Sequence, residues 1–172
     1  TSLSTNGICG PVIFNVRAGT YNEQITIPQI AGTSEINTIT FRSETGDSSS
    51  VIFTYPSSSS STNNFVVFIN GCDDLHFSKM TLERSGTQSY ARVIEIQNNS
   101  DSISFTSNRI LNHYTIGAFA DLMFSYDINY LQLAHNLFEN GSIAVYFYSS
   151  SLSYTIDTNT FLNQSFSSIY LS

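Results

Sequence analysis

Apolar residues along this chain recur in pairs two positions apart, and the pairs recur in triplets. From Val66 they fall at Val66, Phe68, Leu75, Phe77, Met80 and Leu82, at offsets 0, 2, 9, 11, 14 and 16. The same offsets from Ile94 give Ile94, Ile96, Ile103, Phe105, Asn108 and Ile110. From Leu122 they give Leu122, Phe124, Leu131, Leu133, Asn136 and Phe138, and from Val145 they give Val145, Phe147, Tyr154, Ile156, Asn159 and Phe161. A further turn opens with Ile169 and Leu171. Successive starts lie 28, 28, 23 and 24 residues apart, and all the variation falls after offset 16. A pair at i, i+2 is a short strand whose alternate side chains point inward. Three pairs per repeat therefore predict three strands per turn, followed by one loop of variable length. The i, i+3, i+4, i+7 pattern of a helix is not sustained. A propeller blade needs about 40 residues, and the LxxLxL signature of leucine-rich repeats is absent. The prediction is an all-β chain: a right-handed single-stranded parallel β-helix, a solenoid with three short strands per coil.

The polar exceptions point the same way. Asn108, Asn136 and Asn159 share offset 14, between the second and third strands. Stacked coils lie about 4.8 Å apart. At that spacing identical amides can hydrogen-bond along a ladder, which a buried polar group requires. Turn-forming Asn is the plainer alternative.

The N-terminal part fits more loosely. Val12, Phe14 and Val16 form a strand, and Ile25 and Ile27 follow; Ile39 and Phe41, then Val51 and Phe53, make the next turn. Val12, Ile39 and Val66 are spaced at 27 residues, which puts them in one register and predicts six full coils with a partial seventh. Residues 1–172 thus read as one β-helix domain, a segment of a longer solenoid that packs end to end with further coils or another chain. The run at 56–64, PSSSSSTNN, reads as a flexible protruding loop; others run from Ser85 to Arg92 and from His113 to Asp121, the last with Tyr114 and Phe119. Cys9 precedes a first strand in this register and Cys72 follows one, so a strand's length of about 17 Å separates them. That exceeds the roughly 7 Å a disulfide spans.

Composition narrows the partners. Only 11% of residues are charged against 41% hydrophobic, and the formal net charge is −7. Nucleic acid, which needs a basic patch, is excluded. No apolar run approaches the ~20 residues of a membrane span, and an anionic membrane would repel the chain. Neutral glycans, proteins or cationic groups remain as partners.

One stretch carries a resemblance. Cys9-Gly10-Pro11 before a strand, the turn Gly19-Thr20-Tyr21 and the strand Ile39-Thr40-Phe41 resemble the pectate-lyase-like β-helix regions of large secreted or cell-surface proteins of Bacteroidetes, many exported by the type IX pathway. The segment NGCDDLHFSKMTLER is similar to a later step of the same family. The resemblance covers about the first 85 residues as sequence. It implies an extracellular location and the β-helix fold. It implies no single activity, because this fold hosts lyases, hydrolases, esterases and non-catalytic adhesins.

Candidate chemistry is sparse. In the register above Val67, Glu95, Met123, Tyr146 and Tyr170 point outward from the first strands, and only Glu95 ionises. Glycoside hydrolysis needs two carboxylates about 5–10 Å apart, and Val67 and Met123 would be the neighbours of Glu95. Asp73, Asp74, Asp101 and Asp127 lie near the first turn, where they are either turn formers or a Ca²⁺ candidate, an ion that takes six to eight oxygens. His76, His113 and His135 share no metal-binding spacing. An aromatic surface is the stronger candidate: Tyr126, Tyr146, Tyr148 and Tyr170, with Glu95, form a ligand-binding set suited to sugar rings, although Tyr also favours exposed strands for its own sake. The leading expectation is a non-catalytic structural or adhesive module that contacts glycans and needs no cofactor. The alternative is a polysaccharide lyase or glycoside hydrolase.

Overall fold

The computed structural model describes residues 2–113, 119–148 and 153–172. Three parallel six-stranded sheets run its length. Sheet A stacks Val12–Val16, Ile39–Ser43, Leu75–Ser78, Ile103–Thr106, Tyr130–Ala134 and Ser153–Asp157. Sheet B stacks Gly19–Asn22, Val51–Pro56, Thr81–Ser85, Arg109–Asn112, Leu137–Glu139 and Thr160–Leu162. Sheet C stacks Ile25–Pro28, Val67–Asn70, Ile94–Gln97, Met123–Tyr126, Ile143–Tyr148 and Ser167–Leu171. The chain visits A, B and C in turn six times, which is a parallel β-helix of six coils. A short helix, Ser2–Asn6, precedes the first coil, and its Leu3 packs on the core.

The core forms because like residues stack on like. Phe14, Phe41, Phe77 and Phe105 of sheet A make a continuous column, with ring centroids 4.6, 5.3 and 5.1 Å apart and interplanar angles of 11°, 14° and 6°. Phe138 and Phe161 continue the idea in sheet B at 5.3 Å. Offset stacks of this kind add to plain burial. In the last coil Phe166 and Leu171 are exposed.

Between sheets A and B the chain turns within two residues in every coil but the second. Lys79, Ser107, His135 and Thr158 occupy the same place in successive coils, and all have positive φ, between 50° and 59°. A turn this tight leaves backbone groups without partners inside the coil. The Asn column supplies them from the next coil. Asn108 Oδ1 accepts from Met80 N–H (3.0 Å), Asn136 Oδ1 from Asn108 N–H (2.9 Å), and Asn159 Oδ1 from Asn136 N–H (2.8 Å). Their amide nitrogens donate to the carbonyls of Phe77, Phe105 and Leu133.

The sheets correct the expected register in two places. Val12 and Ile39 pair with Leu75 in sheet A, not with Val66. The coils there are lengthened at 29–38 and 44–50, outside the loop where the later repeats vary. Within sheet C, Val67 aligns with Ile94 and Met123, and Met123 with Val145. Val67 and Met123 therefore point inward and are fully buried, while Phe68 and Phe124 point outward. The runs FVVFI and LMF are apolar at consecutive positions, so a period of two could not choose their phase.

The loop at 56–64 is tied down rather than free. Ser58 bridges to Tyr90, and Tyr90 stacks on Phe119 at 4.7 Å. Tyr114 lies outside the described residues. The buried Arg84 donates to the carbonyls of Phe65 and Asn63, which Gln24 also reaches at 2.7 Å. Burial pushes the Arg84 guanidinium down to about 10. Cys9 and Cys72 are both free, the first exposed and the second buried. Each stands three residues ahead of a sheet A strand, two coils apart, so no strand separates them. Two coil rises come to about 10 Å.

Candidate aromatic binding face

The outer face of sheet C gathers the site. Its inward residues alternate with two outward rows. One row runs Phe68, Glu95, Phe124, Tyr146 and Tyr170; beside it Gln97, Tyr126 and Tyr148 follow one another. The neighbours of Glu95 are thus Phe68 and Phe124, not Val67 and Met123. Tyr146, Tyr170, Tyr126 and Tyr148 fall together as one patch. Tyr146 meets Phe124 and Tyr170 edge-on, at 5.3 and 5.1 Å. Tyr126 and Tyr148 lie tilted at 5.5 Å and remain 45% and 47% exposed, which leaves ring surface free for a ligand.

Charge is confined to one end of the patch. Arg92 lies over the Phe124 ring, 4.0 Å from its centroid. Such cation–π contacts hold a guanidinium against a ring face. Arg92 also pairs with Glu95 at 2.9 Å and with Asp121 at 3.3 Å. Gln97 donates its amide to the other Glu95 oxygen at 2.5 Å. Asp121 is buried and takes a further hydrogen bond from Ser142 at 3.2 Å. Burial raises the Asp121 carboxyl above the usual range, against the opposing pull of Arg92 and the hydrogen bonds of Arg92 and Ser142. Glu95 was legible as the acid of this face, but Arg92, Asp121 and Phe124 were not assigned to it. Arg92 and Asp121 are 29 residues apart in sequence, about one coil, and that spacing was the available signal.

A second cluster lies at the turn from sheet C to sheet A. Asp73, Asp74 and Asp101 line a shallow pocket with Glu35, while Asp127 does not join them. Asp73 accepts from Asp101 N–H at 2.9 Å, and Asp101 from Ser102 N–H at 2.7 Å. Burial raises the Asp74 carboxyl first, then the charges of Asp73, Asp101 and Glu35. Among the described residues no three His, Cys, Asp or Glu side chains are gathered so as to hold a metal ion. His76 is half-buried and shares a hydrogen bond with Ser104 (2.7 Å), and His135 with Thr158 (2.6 Å). Among the described residues no helix is long and apolar enough to cross a membrane.

Comparison with known proteins adds little beyond architecture. No family model matches the chain, and no curated protein matches it. Among solved structures it is similar to a pectin methylesterase mutant in complex with a hexasaccharide, with TM-score 0.49 and 13% identity. The match covers 86% of this chain and 50% of that one, so the chain spans about half the length of that structure. The β-helix assignment rests on the three parallel sheets themselves.

Proposed function

We propose that this chain is a non-catalytic adhesive β-helix module of a secreted or cell-surface protein, of the Bacteroidetes type its N-terminal half resembles, and that it holds glycans on the outer face of sheet C. One observation carries the reading: five outward aromatic residues, Phe124, Tyr126, Tyr146, Tyr148 and Tyr170, lie in two adjoining rows on consecutive coils. Aromatic faces take the apolar side of a sugar ring, and phenol hydroxyls take its polar edge. The carboxylate on this face is already engaged by Arg92 and Gln97, which favours binding over turnover.

A glycan array probed with the wild-type chain and with Tyr146→Ala tests this. Retention of a defined glycan class by the wild type, and its loss in the variant, is the expected result. Equal retention by both proteins would place any glycan contact elsewhere.

A second reading is favoured by one feature. Glu95 and Asp121 are two carboxylates joined through Arg92, and the Asp121 carboxyl is raised by burial. A lyase or hydrolase working here would depend on both. Release of shortened glycan that stops in Glu95→Gln would support it.

A further inference from the structure

We infer that the ligand of the sheet C face is an uncharged, extended polysaccharide lying along the helix axis, and that uronate-bearing or sulfated chains are rejected there. This rests on the glycan-binding reading and adds the ligand's charge and direction.

The charge argument starts from the basic residues, of which the chain has only six. Arg17 and Arg42 belong to the sheet A side, Lys79 to the A–B turn, and Arg109 to sheet B. Arg84 is buried under the 56–64 loop. Arg92 alone reaches the sheet C face, and two carboxylates, Glu95 and Asp121, already neutralise it. An anionic chain would find no unpaired cation on this face. It would instead approach a surplus carboxylate on a protein of net charge −7. Recognition of carboxylate or sulfate groups ordinarily uses a free Arg or Lys. A neutral sugar needs none. It needs ring faces, and hydroxyl partners of the kind that Glu95, Gln97 and the phenols supply.

The direction follows from the rows. Tyr126 and Tyr148 repeat at 5.5 Å, and Tyr146 and Tyr170 at 5.1 Å, each pair one coil apart. Over the three coils that carry Phe124, Tyr146 and Tyr170, a polymer aligned with the axis meets a new ring at each coil, so its own repeat must be similar. An extended chain of pyranose units meets that condition. A chain lying across the sheet would cross its two rows only once.

The test is calorimetric titration of the chain with cellohexaose, xylohexaose and hexagalacturonate, at low and at physiological salt. A neutral hexasaccharide should bind with an affinity that salt does not change. It should bind at least tenfold more weakly to Tyr148→Ala, and near-normally to Tyr148→Phe, which keeps the ring. The corresponding disaccharide should bind markedly more weakly, because it spans fewer of the three ring-bearing coils. Hexagalacturonate bound more tightly than the neutral sugars, through the same tyrosines, would overturn the inference and leave the glycan-binding reading standing. A disaccharide bound as well as the hexasaccharide would overturn the axial alignment. Absence of binding by all three sugars would remove both. Circular dichroism of each variant separates loss of the site from loss of the fold.

Discussion

Asn108 and Asn136 meet across one coil: Asn136 Oδ1 accepts the Asn108 backbone N–H at 2.9 Å and the Asn108 amide nitrogen at 3.3 Å. Both side chains are about 99% buried. The contact repeats one coil on, where Asn159 Oδ1 accepts from Asn136 at 2.8 and 3.0 Å. The column therefore replaces, turn by turn, the backbone partners that the tight A–B corner removes.

Asn136→Ala should accordingly be among the most damaging single changes. It strands the Asn108 N–H in the core and takes away the side-chain donor to the Phe105 carbonyl. A buried polar group left unpaired costs about 1–3 kcal/mol, so a loss of about 2–3 kcal/mol is expected. Asn159→Ala, in the last coil where the site is less buried, should cost less. Urea unfolding of the two variants measures the difference; equal and small losses would mean that the column is ornamental.

How much of this was legible in the sequence depended on how cleanly each strand alternated. Leu75-His76-Phe77 and Ile103-Ser104-Phe105 alternate strictly, and the structure places them in sheet A as the spacing predicts. Val66-Val67-Phe68 and Leu122-Met123-Phe124 are apolar throughout, so burial alone decided which residues faced in. Ser125 shows the difficulty from the other side, as a polar residue 1% exposed at an inward position of sheet C. The aromatic patch was visible as four tyrosines near the C-terminal end. Its charged border was not, because Arg92 and Asp121 become neighbours only when one coil closes over the next.

The two cysteines should differ sharply in reactivity. Cys72 is buried, and burial, with the charges of Asp73 and Asp74, pushes its thiol up to about 12. The thiolate is the reactive form, so native Cys72 should resist alkylation while the exposed Cys9 reacts. Mass spectrometry after iodoacetamide treatment should show one label per native chain, none in native Cys9→Ser, and two after unfolding.

The acidic turn should give the chain an unusual pH response. Asp73 and Asp74 both have carboxyls raised by burial before any other cause. A folded pKa above the unfolded value means that the folded state binds protons more readily. The stability contributed by these groups is present below about pH 4 and is lost as pH rises through the raised values. Asp74→Asn removes the charge and suits the positive φ of 52° at this position, which Asn tolerates. The variant should melt above the wild type at about pH 7 and level with it near pH 3. A lower melting temperature at neutral pH would show that the Asp74 charge has a partner it needs.

Arg84 should prove to be a fastener of the 56–64 loop. Its guanidinium reaches the carbonyls of Phe65 and Asn63 from within the wall of the coil, under the Tyr55 ring at 5.7 Å. Arg84→Ala leaves those carbonyls to Gln24 alone. Removing a buried charged donor of this kind costs about 2–4 kcal/mol. Arg84→Lys should recover little, because one ammonium cannot copy a planar fork. Protease cleavage within 57–63 should accelerate in both variants, and an unchanged cleavage rate would free Arg84 of this role.

Met123 and Phe124 offer the sharpest test of which side of sheet C faces the ligand. They are adjacent in one strand, yet Met123 is fully buried against the core while Phe124 stands outside beneath Arg92. An unpaired acid forced into the core is costly enough to unfold a marginal domain, so Met123→Asp should fail to fold or melt far below the wild type. Phe124→Ser removes an outward ring and the Arg92 contact, at a cost of about 1 kcal/mol for the cation–π pair plus some lost apolar cover. It should stay folded and lose affinity for a glycan bound on this face. If Phe124→Ser collapsed the fold while Met123→Asp was tolerated, the strand would be inverted, and the aromatic rows would belong to the core.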